Sequence, residues 1–121
     1  MGLDQYACVT NEAIIEDTDF DVRSYSELHY WRKHPNLEGW FRDLYHAKGG
    51  RKHEFNCAHV RVTKSDLNDL EEAVRTYNLP ETSGFFFGVS DGSEKEDDLK
   101  FIRKAREAID AGGTVFYSSW W

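Results

Sequence analysis

"FNCAHVRVTKSDLNDLEEAVRTYNLP", residues 55–80, changes its apolar period partway along, and that change decides the class of fold. Over residues 55–63, Ala58, Val60 and Val62 alternate with His59, Arg61 and Thr63. This is the two-residue period of a strand with one buried and one more polar face. Beyond Thr63 the apolar positions become Leu67, Leu70, Val74 and Tyr77, the spacing of one helix face, with Ser65 able to cap the start and Pro80 beyond the end. A strand feeding an amphipathic helix predicts a sheet with helices packed on it.

Downstream, "SGFFFGVS" (83–90) is an apolar run between glycines, too short for a helix. It predicts a buried strand with Phe85 and Phe87 on one side and Phe86 on the other. From Asp97 onward, Leu99, Ile102, Ala105 and Ile109 mark a helix with acids in its first turn and Gly112 and Gly113 at its close. "TVFYSSWW" (114–121) predicts a last strand with Val115, Tyr117 and Ser119 opposite Phe116, Ser118 and Trp120.

Upstream, Pro35 suits the first turn of a helix whose stripe is Leu37, Trp40, Phe41 and Leu44 and whose stop is "KGG" at 48–50. Before it, "SYSE" (24–27) has the hydroxyl-to-carboxylate spacing of a capping box, so a helix is expected to begin there and to end by His34. Residues 5–16 predict one or two short strands. The expected fold is α+β, a single domain over residues 1–121: a two-layer sandwich in which about three to four helices cover a small sheet.

A chain of 121 residues with 40% hydrophobic and 15% aromatic side chains can bury one core. Its formal charge of −7, from 22 acids against 15 bases, repels nucleic-acid backbones, so generic nucleic-acid binding is not expected. Acids crowd residues 12–21 and 91–98, while bases gather at 32–34, 48–53 and 100–106, which leaves a local anion site open. Two unpaired cysteines and no apolar leader point to the cytoplasm. No run approaches the about 20 apolar residues that span a bilayer, so no membrane partner is expected.

Cys57 and His59 share a strand face but form only half a metal-ligand set, and no cofactor or metal is expected. Cys57 or Ser90 could act as a nucleophile with one of the five histidines, although neither lies in a nucleophile elbow or a cysteine-protease context. The glycines of "GFFFG" enclose three phenylalanines rather than a phosphate cradle. "EKEDD" reads as a solvated helix start rather than a magnesium site, and Lys100, Arg103 and Lys104 as a solvated helix face.

"YWRKHPNLEGWFRDLYH" (30–46) interleaves aromatic and cationic side chains. Core packing explains most of the aromatics. The alternative is a ligand site, since rings stack on a flat base while cations hold phosphates. The candidate ligand-binding residues are Trp31, Arg32, Lys33, His34, Trp40, Arg42 and Tyr45, with Trp120 and Trp121 as walls. No catalytic residue is assigned.

"YWRKHPNLEGWF", "FNC", "LPETSGFFFG", "DDLKFIRKAREAI" and "YSSWW" occur in this order. Together they resemble a family of small bacteriophage and bacterial proteins that often carries the label phosphoglycerate kinase. The resemblance spans residues 28–121 and leaves out the first 27. Genuine phosphoglycerate kinase is a much longer two-domain enzyme whose nucleotide-binding motifs do not occur here, so kinase activity is not expected. The resemblance implies a phage or prophage setting, in which small acidic cytosolic proteins act on host machinery.

The leading expectation is therefore a phage-type protein that binds a nucleotide-like small molecule, such as a host immune signal, and sequesters it without turnover as a homo-oligomer. The alternative is an acidic inhibitor of a host protein that acts through residues 12–21 and 91–98. A third reading is a nucleotide-processing enzyme with His34, His46 or His59 as general acid or base.

Overall fold

The sheet is built from both ends of the chain toward its middle. The computed structural model describes residues 2–84 and 87–121. Its elements run β1 (Asp4–Thr10), β2 (Ser26–Arg32), α1 (Pro35–Ala47), β3 (Val60–Val62), α2 (Lys64–Arg75), α3 (Lys95–Asp110) and β4 (Thr114–Trp120). The strands lie in the order β2-β1-β4-β3, every neighbour antiparallel, so β1 and β4 are central. The fold is α+β.

Three helices cover one face. Leu37 and Phe41 of α1, Leu67 and Leu70 of α2, and Phe101 and Ile102 of α3 join Trp31, Val60, Val115 and Tyr117 of the sheet in one core. Tyr117 sits at its centre, opposite Ala7 on one side and Val60 on the other, with its ring stacked on Phe41 at 3.9 Å and 10°. The other face carries a smaller cluster of Cys8, Phe20 and Phe116, partly covered by the segment after β1, where Thr18 bridges to Val60.

The helix expected from "SYSE" is instead strand β2. The backbone amide of Ser24 is taken by Glu12 and its carbonyl by Thr10 Oγ1 at 2.7 Å, so residues ten and more positions away replace the local capping box. As a strand, the segment buries His29 and Trp31 and exposes Tyr30 and Arg32. As an edge strand, the segment pairs with β1 along one side, and that ladder takes the backbone groups facing β1.

The strand expected over residues 55–63 is regular only at Val60–Val62, because Cys57 takes a left-handed φ of 58°. Its buried face of Ala58, Val60 and Val62 is as expected. Helix α2 is capped by Thr63 rather than Ser65: Asp66 N–H donates to the Thr63 hydroxyl and Thr63 N–H to the Asp66 carboxylate, at 3.2 and 2.8 Å. Tyr77 lies past the end of α2 and is exposed.

The strand expected at 83–90 does not form at its described residues, and Phe85 and Phe86 lie outside those residues. Phe87 N–H donates back to Gly84 at 3.2 Å, and Gly88, at φ 78°, turns the chain so tightly over Lys33 that a Cβ would stand 2.9 Å from the lysine's own Cβ.

Candidate functional site

The chain leaves β2 at Arg32, turns at Lys33 (φ 57°) and enters α1 at Pro35, which needs no amide hydrogen at that position. His34 stands at this corner with 2% of its surface exposed. Gln5 of β1 clamps its backbone: His34 N–H donates to Gln5 Oε1 at 2.8 Å, and Gln5 Nε2 donates to the His34 carbonyl at 3.0 Å.

The Gln5 amide also donates to the Tyr117 hydroxyl at 3.0 Å, which donates to Glu38 Oε1 at 2.6 Å, while Ser119 donates to Glu38 Oε2 at 2.8 Å. Burial pushes the Glu38 carboxyl up to about 7, against the hydrogen bonds from Tyr117 and Ser119 that favour its charge. The same burial, with Glu38 beside it, holds the Tyr117 phenol well above its ordinary value.

The His34 ring makes two further contacts. Nε2 lies 2.8 Å from Asp98 Oδ2, and Nδ1 lies 2.7 Å from Ser90 Oγ. Asp98, 2% exposed in the first turn of α3, also accepts the Trp31 indole N–H at 3.0 Å. Ser90 Oγ accepts the Asn36 N–H at 3.1 Å, at the start of α1. An ionised carboxylate only accepts, so Nε2 carries a proton. In the neutral imidazole Nδ1 is then the acceptor, and the Ser90 hydroxyl its donor. Serine, histidine and aspartate thus stand in a relay, with the two ring nitrogens exchanged relative to serine hydrolases.

The relay opens onto a cleft of about 280 Å³ lined by His34, Ser90, Tyr77, Leu79, Glu94 and Lys95. An adjoining cleft of about 420 Å³ shares Asn36 and Ser90 and continues past Thr82 and Gly88. Lys95 Nζ sits over the Tyr77 ring, 4.7 Å from its centroid. Glu94 braces the loop by accepting the Gly92 N–H at 3.0 Å, and Asp91 accepts from Ser93. Lys95 faces Asp91 and Glu94 in the same lining, so no excess of positive charge gathers there.

Of the residues expected to bind a ligand, Trp31 and His34 belong to this network, and Lys33 lies beside it over Gly88. The others point elsewhere. Arg32 reaches Asp4 at 2.9 Å across the sheet edge. Trp40 packs edge-on against Phe41, and Arg42 lies 3.9 Å from Asp43 on the surface of α1. Tyr45 is buried and donates to Asp19 at 2.6 Å. Trp120 is 66% exposed on the outer side of the sheet, while Trp121 is pinned by Asn56 and the Phe55 carbonyl.

Among the other histidines, His29 lies 3.0 Å from Asp97 and 3.1 Å from Lys104 Nζ, and His59 contacts the Phe20 carbonyl at 2.9 Å. Among the described residues no three His, Cys, Asp or Glu side chains converge as a metal cluster, and no helix is long and apolar enough to cross a membrane. Asp98, Tyr77 and Lys95 were not legible as site residues. Asp98 reads as one acid among several at a helix start, and nothing local distinguishes it. No family model, curated protein or solved structure matches this chain.

Proposed function

We propose that the protein binds a small polar molecule in the cleft beside His34. The observation that carries this reading is that an almost fully buried polar chain, Trp31–Asp98–His34, delivers an imidazole to the wall of an open cleft of about 280 Å³. Holding a histidine, a carboxylate and an indole out of water in one geometry is costly. Convergent polar groups in a concave site are what orient a ligand.

The lining supports an uncharged or cationic ligand over a nucleotide phosphate, because Lys95 is offset by Asp91 and Glu94. The phage setting implied by the resemblance makes a small molecule of the host the biological form of this ligand.

The acidic-inhibitor reading draws less support, since most carboxylates of the two acidic segments are engaged within the chain. Asp17 pairs with Arg61, Asp19 with Tyr45, Glu12 with the amides of residues 23 and 24, and Asp97 with His29.

Native mass spectrometry of protein purified from cells tests the proposal. The expected result is a small molecule released on denaturation and absent from a Tyr77→Ala variant, whose exposed ring lines the cleft without supporting the core. An empty wild-type protein that also gives no shift of Tyr77 resonances with a library of small polar molecules overturns it.

A further inference from the structure

We propose that Ser90 is a nucleophile and that the His34 cleft accepts small carboxylic esters or related acyl compounds that carry no negative charge. This rests on the ligand-site reading above and names its substrate class. Three observations converge. The Ser90 hydroxyl is 2.7 Å from His34 Nδ1, and the opposite ring nitrogen is 2.8 Å from a buried carboxylate. That carboxylate is held by the Trp31 indole at 3.0 Å, which fixes its orientation and that of the ring. Ser90 lines both clefts, so an ester bound beside it has one cleft for its acyl portion and another for its alcohol portion.

The chemistry balances with water as the sole co-reactant. Ser90 Oγ forms a bond to the carbonyl carbon as its proton passes to His34 Nδ1, and the C=O π pair moves to oxygen. Asp98 stabilises the imidazolium through Nε2–H without taking the proton. The amino end of α1, whose Asn36 N–H donates to Oγ at 3.1 Å, stands beside the nucleophile, and its positive dipole end favours negative charge developing next to Oγ. Collapse restores C=O and breaks the ester C–O bond, the alcohol leaving with the proton from His34. Water, deprotonated by the same nitrogen, attacks the acyl-serine. The carboxylic acid departs, and the hydroxyl regains its proton. Asp98 and Trp31 are positioning residues.

The test is labelling of the full chain with an alkyl fluorophosphonate, in which an Oγ–P bond forms and fluoride leaves. Intact-mass analysis is expected to give one adduct, mapped to Ser90. Ser90→Ala should give none, and His34→Gln should label about 10²-fold more slowly. Asp98→Asn provides the same comparison if His34→Gln does not fold. An unlabelled Ser90 in folded protein, or an unchanged rate in the relay variants, overturns the proposal.

Chemical-shift changes at Tyr77 and His34 when the Ser90→Ala variant meets p-nitrophenyl acetate report on the cleft separately. Shifts without labelling of the wild type overturn the nucleophile and leave the ligand site. Neither signal overturns both.

Discussion

Replacing Glu38 by glutamine should abolish a pH dependence of stability that the wild-type protein carries. Glu38 is 2% exposed, and burial raises its carboxyl from 4.5 to about 7, with Tyr117 and Ser119 donating to its oxygens. Below pH 4.5 the group is protonated whether the chain is folded or unfolded. Between 4.5 and 7 the unfolded chain has released the proton and the folded chain still holds it, so the folded state binds more protons and stability falls as pH rises.

A difference of about 2.5 units corresponds to about 3 kcal/mol, lost by the time pH has passed 7. Glutamine has the shape of the protonated acid and does not titrate. Urea unfolding of both proteins at pH 4.5 and pH 8 should find similar stabilities at the lower pH. At pH 8 the Glu38→Gln variant should be the more stable by about 3 kcal/mol. Other carboxyls whose values the fold lowers, such as Asp17 and Glu71, contribute equally to both curves and cancel. Parallel pH profiles for the two proteins would refute the assignment of a buried, proton-holding Glu38.

Phe41→Ala removes the ring stacked at 3.9 Å on Tyr117 and should lower stability by about 3–5 kcal/mol in urea titration; a loss below 1 kcal/mol would mean that the α1 face does not pack as described. Trp31→Phe withdraws the indole donor from buried Asp98, with an expected loss of about 1–3 kcal/mol, and an unchanged midpoint would remove Trp31 from the network. Thr63→Ala deletes the cap of α2 and should cost about 1 kcal/mol, whereas Ser65→Ala should be nearly silent; the reverse order would place the cap at Ser65. Iodoacetamide should modify only exposed Cys57 in the folded protein and both thiols in urea, because Cys8 is buried and its thiol is pushed up to about 11. Rapid native modification of Cys8 would contradict its burial beside Phe20 and Phe116.

Elements whose stability comes from one apolar face were legible in the sequence. The stripes of α1, α2 and α3 and the alternation of β4 are periodic, and period survives whatever the rest of the chain does. Strand β2 was not legible, because "SYSE" carries a local capping signal that loses to Glu12, Thr10 and the ladder with β1, all remote in sequence. The candidate site was legible only in fragments. His34 and Trp31 are visible through the chemistry of their side chains, and Ser90 offers a hydroxyl to a histidine. The pairing of Ser90, His34 and Asp98 joins two loops and a helix start separated by 56 and 64 residues, which no spacing rule encodes. Arg32, Arg42 and Trp120 lie near His34 in sequence or in character, yet the pleat of the sheet and the turn of α1 direct them outward.

The central position of β4 governs how this chain can fold while it is being synthesised. Until residues 114–120 leave the ribosome, no strand ladder joins β1–β2 to β3, which meet through the segment after β1, where Thr18 bridges to Val60 and the backbones of Asp17 and Asp19 bond those of Arg61 and His59; β4 is the strand that pairs with both β1 and β3. Asp4 finds its partner in Trp120, so almost the whole described sequence must emerge before the sheet closes. A nascent chain stalled before Thr114 would present an unpaired β1 edge to chaperones, and folding of the released chain would be slowed by the long loops it must close.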